Sequence, residues 1–250
     1  MKTSLIFLLI VCSSAFAQTT LLQTTAAQQP PTYTPEKGST AETQAAKNQK
    51  PQWACKPNPV LPNVLLLGDS ISIGYTLDTR KKLAGKANVF RPVKKNNNQP
   101  ENCQGTTHGV RQIDRWLAMQ EKWDVIHFNW GLHDLKHWQP TVGKNSNSLD
   151  DPRQAEPEAY RKNLETIVKK LKATGAKLIF ATTTPYPDGC KPTRLPADAQ
   201  LYNEVATKVM EANNIPVNDL NSLVKDRLDE LQRKANVHFN KAGNLSLIHI

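Results

Sequence analysis

Val64-Leu-Leu-Leu-Gly-Asp-Ser-Ile-Ser-Ile-Gly-Tyr75 is an apolar run that ends abruptly in Gly68-Asp69-Ser70. Four consecutive aliphatics with no polar alternation suit a strand buried on both faces. Such strands belong to parallel sheets, whose ligands bind beyond the strands' carboxyl ends. Ser70 stands at that edge and is the first candidate for a nucleophile. The same residues also suit a helix start, with Asp69 or Ser70 capping the helix that begins near Ile71.

Working outward, apolar runs bounded by turn residues recur at Val89 to Val93, Val125 to Trp130, Lys177 to Thr183 and Ile215 to Leu220. Helical periodicity fills the gaps at Val110 to Gln120, Pro157 to Ala173 and Ala197 to Asn213. In the second of these Leu164, Ile167, Val168 and Leu171 share a face, and Gly175 stops the helix. Repeated βαβ units with right-handed crossovers predict an α/β chain: five parallel strands between two helix layers, a three-layer α/β/α sandwich. No internal repeat is visible.

The amino terminus has a different character. Lys2, the apolar stretch Leu5 to Val11 and Ala15-Phe16-Ala17 before Gln18 predict a secretory signal peptide over residues 1–17. Val11 before Cys12 is a poor match to lipoprotein processing. Residues 18–55 are rich in Gln, Thr, Ala and Pro, with almost no large apolar side chains after Leu22, which predicts a disordered linker. The chain is therefore expected to be secreted or periplasmic, with no membrane association once the signal is removed.

The 250 residues carry 32 basic against 22 acidic side chains, a formal charge of +10. That excess is dispersed in small clusters such as Arg80-Lys-Lys82, and no aromatics interleave to stack on bases, so a nucleic-acid partner is not expected. Three cysteines follow the signal: Cys55, Cys103 and Cys190. An odd count leaves at least one thiol free or intermolecularly bonded. Cys103 with Cys190 is the expected bridge, because both lie in loops at the sheet edge that carries Ser70. The spacings suit no compact zinc site, and neither a metal nor another cofactor is expected.

A serine nucleophile needs a general base, donors for the oxyanion and something to orient the base. His238, in Asn236-Val-His-Phe-Asn240, lies after the last strand and before a helix-start signal, so it can return to the edge holding Ser70. His127 falls inside the third strand and is expected to be a core histidine.

These residues resemble the SGNH or GDSL hydrolases in motif order and spacing from about Pro62 to Asn244. The first block of that family matches Gly68-Asp69-Ser70. Its second block contributes an oxyanion-hole glycine, and Asn102-Cys-Gln-Gly105-Thr-Thr-His-Gly109 lies at the matching place, through Gly105 or the nearby Gly109. The third block, GxND, is similar to Gly131-Leu132-His133-Asp134, with His133 where the family has asparagine. The resemblance implies a flavodoxin-like SGNH fold, ester hydrolysis by Ser70 and His238 through an acyl-enzyme, and an oxyanion held by Ser70, Gly105 and His133. It implies a small-molecule or polysaccharide ester as substrate, with carbohydrate O-deacetylation as one form of that activity.

Two departures from the family pattern carry chemical consequences. His133 can replace an asparagine donor if a ring N–H points into the site, or it can simply bond a loop carbonyl. The position three before His238 is Ala235 instead of the aspartate of DxxH, which predicts a Ser70–His238 dyad whose imidazole is oriented by a backbone carbonyl. Loss of both family residues also suits a catalytically silent carbohydrate-binding protein on the same fold. Asn129, Trp130, Trp138 and Tyr186 are candidates for lining a sugar site, although core packing explains the aromatics equally well. His133 and His137 lie four apart, without the third ligand that zinc needs.

The hydrolase domain is expected over residues 56–244. Leu245-Ser-Leu-Ile-His-Ile250 back-translates to the transposon mosaic end used in sequencing libraries. Residues 245–250 are therefore expected to be adapter read-through, with most of a final helix after Asn240 cut away.

Overall fold

The computed structural model describes residues 53–248. The expected signal peptide, the expected linker as far as residue 52, and residues 249–250 lie outside the described residues.

Among the described residues seven strands occur in chain order: β1 (Asn63–Leu67), β2 (Asn88–Phe90), β3 (Val125–Phe128), β4 (Trp138–Gln139), β5 (Lys144–Asn145), β6 (Lys177–Ala181) and β7 (Val217–Asn218). Five of them form one parallel sheet in the order β2-β1-β3-β6-β7, while β4 and β5 pair as a small antiparallel hairpin outside it. Counting only the five, the order is 2-1-3-4-5, the flavodoxin-like arrangement that the motif resemblance implies.

The helices are α1 (Ser70–Lys82), α2 (Thr106–Leu117), α3 (Pro157–Ala173), α4 (Pro196–Ala212), α5 (Leu220–Val224), α6 (Leu228–Leu231) and α7 (Lys241–Ser246). From β1 the chain steps one way to β2 and then back through β3, β6 and β7. Right-handed crossovers therefore send α1 to one face of the sheet and α2, α3 and α4 to the other. The packing agrees: α2 lies against α3 and α3 against α4, while α1 meets α7.

Burial follows the sequence pattern. Leu65, Leu66 and Leu67 in β1 and Phe128 and Phe180 in its neighbours are sealed between the layers. In α3, Tyr160, Leu164, Ile167, Val168 and Leu171 form the buried face, and Pro157 opens the helix where its missing N–H costs nothing. Gly109 in α2 is required by close approach: a Cβ there would sit 2.9 Å from Ile167 Cδ1 and 3.0 Å from Trp130 Cε2.

The strands are shorter than the apolar runs. β2 stops at Phe90 because Arg91 turns into the interior, and β6 stops at Ala181, after which Thr182, Thr183 and Thr184 carry the chain over the sheet edge. α2 begins four residues before Val110. α7 runs past Asn244, and Leu247 is buried against the core. Among the described residues no helix is long and apolar enough to cross a membrane.

Candidate active site

Both roles considered for the Gly68-Asp69-Ser70 turn occur in it, on neighbouring residues. Asp69 is the N-cap of α1, its carboxylate accepting from the Ile71 N–H at 2.9 Å, and Ser70 is the first residue of the helix. Ser70 Oγ lies 2.8 Å from His238 Nε2.

His238 is delivered by a tight turn after α6. Arg233 N–H donates to the His238 carbonyl at 3.0 Å and Asn240 N–H to the Leu231 carbonyl at 2.9 Å. The Gln232 amide donates to the Pro185 carbonyl at 2.7 Å and so ties that turn to the loop after β6. His238 is half-buried, and desolvation holds its pKa below the usual 6.5 against the opposing pull of Asp69; Arg233 and Arg194 push in the same direction as burial. The imidazole is therefore neutral at neutral pH and able to accept a proton.

The orienting group is not the backbone carbonyl expected from the sequence but the Asn236 side chain. Its Oδ1 is 2.9 Å from the His238 backbone N–H and 2.7 Å from His238 Nδ1. A backbone N–H can only donate, so the amide presents its oxygen. The ring then carries its proton on Nδ1 and leaves the Nε2 lone pair to accept from Ser70 Oγ–H. The reason for the change lies in the turn: Ala235 adopts φ 49° and its side chain is exposed, so position 235 cannot reach the ring while position 236 can. The expected Ser70–His238 pair is thus extended by Asn236 into a chain of three hydrogen-bonded side chains.

Gly105 is the N-cap of α2 and has no Cβ because Asp134 lies against it; a Cβ there would be 3.0 Å from Asp134 Oδ1. That carboxylate oxygen accepts from Thr106 N–H at 2.7 Å and Thr106 Oγ1–H at 2.6 Å, fixing the start of α2. Burial raises the Asp134 pKa to about 7. Among the described residues, neither Ser70 N–H nor Gly105 N–H donates to another protein group. Both are thus available for an oxyanion. Gly109, the alternative glycine, is used in helix packing instead.

The residues from 66 to 245 match the model of the GDSL-like lipase/acylhydrolase family, which is most of the chain. It belongs to that family. No curated protein sequence matches it significantly. Solved structures similar to this family member include a lipase/acylhydrolase from Enterococcus faecalis, with 23% identity, 75% of this chain and 91% of the other covered, and a TM-score of 0.59. An α/β hydrolase from the metagenome of Lake Arreo, Spain, aligns with 18% identity over 74% and 91% of the two chains, TM-score 0.58. An acetylxylan esterase from Geobacillus stearothermophilus aligns with 15% identity over 74% and 90%, TM-score 0.57.

Several residues that build the site in this GDSL-like chain were not singled out by sequence. Arg91, 2% exposed, donates from Nη1 to Ser72 Oγ at 2.7 Å and from Nη2 to the carbonyls of Gly68 at 2.6 Å, Asp69 at 3.2 Å and Glu101 at 3.1 Å. One guanidinium therefore fixes both the Gly68-Asp69-Ser70 turn and the start of the loop that leads to Gly105. Burial raises the Asp69 pKa even though Arg91 opposes the shift. Arg194 holds the Leu132 carbonyl from Nε at 3.0 Å and bears electrostatically on His133 and His238.

The expected sugar-lining residues divide. Trp130 is sealed in the core, stacked at 6.3 Å on Trp116, with its Nε1–H directed at the Cys103 carbonyl. Tyr186 is buried and donates from its hydroxyl to the Leu195 carbonyl at 2.8 Å, and the Asn129 amide donates to the Ala181 carbonyl at 2.7 Å. These three hold loops. Of the three aromatics Trp138 alone is partly exposed, with Lys136 Nζ 5.6 Å from its ring centre.

The expected Cys103–Cys190 bridge is absent: Cys55, Cys103 and Cys190 are all free thiols. Cys103 N–H donates to the Gly68 carbonyl at the end of β1, whereas Cys190 follows β6, two strands across the sheet. The loop that carries Cys190 is tied elsewhere, Thr193 N–H donating to the Ser146 carbonyl at 3.2 Å and the Thr193 carbonyl accepting from His137 N–H at 3.1 Å. His137 turns away from His133, its Nδ1 bonded to the Asp151 carbonyl at 2.5 Å. Among the described residues no group of three His, Cys, Asp or Glu side chains is placed to hold a metal ion. His127 is a core histidine, its pKa pushed down to about 4 by burial.

Proposed function

We propose that this chain is an exported serine ester hydrolase that removes acyl groups, acetyl foremost, from a carbohydrate. The observation that carries it is the continuous relay from Asn236 Oδ1 through the His238 ring to Ser70 Oγ, with Ser70 and Gly105 N–H groups that are unpartnered among the described residues. Ser70 Oγ attacks the ester carbonyl as His238 Nε2 takes its proton. The carbonyl oxygen becomes an oxyanion held by the two N–H groups and by His133. Collapse expels the alcohol, which leaves with the proton from Nε2. Water then attacks the acyl-serine, giving its proton to Nε2, and the acid departs as Ser70 regains a hydrogen.

Carbohydrate as the alcohol is supported by the acetylxylan esterases among the structural relatives and by partly exposed Trp138, a face on which a sugar ring can stack. Export is supported by the character of residues 1–17. A fluorophosphonate probe together with a panel of acetylated sugars tests the proposal. The expected result is phosphonylation at Ser70 that disappears in His238→Ala, and acetate released from at least one sugar. A folded protein that takes no label and releases no acetate, yet binds sugar, would instead be a silent binder.

A further inference from the structure

His133 occupies the place where the family pattern has an oxyanion asparagine, and an imidazole can do that work only with its proton on the correct nitrogen. Burial, with Lys136 and Arg194 close by, pushes its pKa down to about 3, so at any working pH the ring is neutral and carries one proton. The two tautomers are not equivalent for catalysis. A ring whose proton points back into the protein offers the substrate oxygen a lone pair, which repels an oxyanion.

Lys136 settles the choice. Its Nζ lies 3.3 Å from His133 Nδ1. An ammonium has three donors and no acceptor, so Nδ1 must be the lone-pair nitrogen and Nε2 must hold the proton. Lys136 is 7% exposed and lies within cation–π range of the Trp138 ring. Burying an ammonium is costly unless it finds a partner, and among the described residues its one hydrogen-bond acceptor is the His133 ring. His133 Nε2 bonds no group among the described residues and is not sealed from solvent, and the ring lies near enough to His238 to feel its charge.

We propose that Lys136 is a positioning residue: its ammonium donates to His133 Nδ1, fixes the Nε2–H tautomer and makes His133 the third donor of the oxyanion hole. The proposal rests on the ester-hydrolase function above and deepens it. The arrangement repeats the logic at His238 with opposite sign. There an acceptor on Nδ1 frees Nε2 to be a base, and here a donor on Nδ1 makes Nε2 an acid.

Nitrogen-15 NMR of the histidine rings near neutral pH, where the ammonium is charged, reads the tautomer directly in the full chain. The expected spectrum shows His133 protonated on Nε2 alone, and a mixture of tautomers in Lys136→Met. With the best acetylated sugar, Lys136→Met is expected to lower kcat about tenfold with KM nearly unchanged, and Lys136→Arg to recover most of it. In a His133→Ala background, itself about a hundredfold slower, Lys136→Met is expected to change kcat by less than about twofold, because the group it positions is gone. A wild-type ring protonated on Nδ1, or an equal loss from Lys136→Met in both backgrounds, overturns the proposal. A locked Nε2–H tautomer in a protein that hydrolyses no ester and takes no probe overturns the esterase function and leaves the lock standing.

Discussion

Asn236 Oδ1 accepts two hydrogen bonds from the same residue, the backbone N–H and the ring Nδ1–H of His238. The first fixes which way the amide faces, and the second fixes the tautomer of the base. An aspartate in this place would add a charge that stabilises the imidazolium formed as Ser70 attacks. Asn236→Asp is therefore expected to raise kcat by about 10-fold or more, and Asn236→Ala to lower it by about 10²- to 10⁴-fold through loss of the tautomer. Ala235→Asp, exposed and turned outward, is expected to leave kcat within about twofold. Steady-state rates on one ester decide among them; a large gain from Ala235→Asp with none from Asn236→Asp would mean that position 235 orients the ring.

The pH profile follows from the same ring. Desolvation places the His238 pKa below 6.5, and only the neutral imidazole can accept the serine proton. As pH falls through that lowered pKa, kcat/KM is expected to decline, so the acid limb lies below 6.5 and activity is flat through neutrality. Asn236→Asp favours the protonated ring and should move the limb upward. A wild-type limb above 6.5 would contradict the desolvated, uncharged environment described for His238.

Acid should also unfold the protein, through histidines that take no part in proton transfer. Burial depresses His127 to about 4 and His133 to about 3, against 6.5 for the ordinary side chain. Between those values the unfolded chain binds protons that the folded chain refuses, so stability rises with pH across this window. The contribution is complete above 6.5 and is lost as pH falls towards 3 to 4. At about 1.4 kcal/mol per unit, each ring is worth a few kcal/mol. Urea unfolding at about pH 7 and about pH 4.5 measures it, and a midpoint that does not fall in the acid sample would rule out neutral buried rings.

Val64 to Leu67 announced a central strand because four unbroken aliphatics have no exposed face to offer, and the four later strands followed from the same pattern. Ser70 and His238 were legible because their chemistry is carried by residue type and by position at strand and helix ends. Asn236 was less so, although it stands two residues before the base, because an aspartate was sought at 235 and the left-handed turn at Ala235 leaves no mark in an alanine. Arg91 and Lys136 were invisible for a different reason: a buried cation reads in sequence as one more surface charge. The Cys103–Cys190 pairing failed because a shared sheet edge does not specify which strands lie beneath each loop. Trp130 and Tyr186 failed as sugar-lining residues because an aromatic that caps a core and one that faces a ligand have the same sequence.

Arg91 makes the strongest prediction about how the nucleophile is held. Its guanidinium joins Ser72 Oγ and the carbonyls of Gly68 and Asp69 on the nucleophile turn to the Glu101 carbonyl on the oxyanion loop, from a position 2% exposed. Three carbonyls and a hydroxyl converge on one planar group, and the point charge of a lysine cannot serve them all. Arg91→Met leaves those oxygens buried without donors and is expected to cost about 3–5 kcal/mol, enough to unfold a marginal domain. Arg91→Lys keeps the charge and is the more informative variant. It should fold with about 2 kcal/mol less stability, and its kcat should fall far more than its KM changes, because the Ser70 turn and the Gly105 loop are no longer fixed to each other. Calorimetry with kinetics on the same sample separates the two effects. If Arg91→Lys lost stability but kept full kcat, the guanidinium would serve the core and not the geometry of the nucleophile.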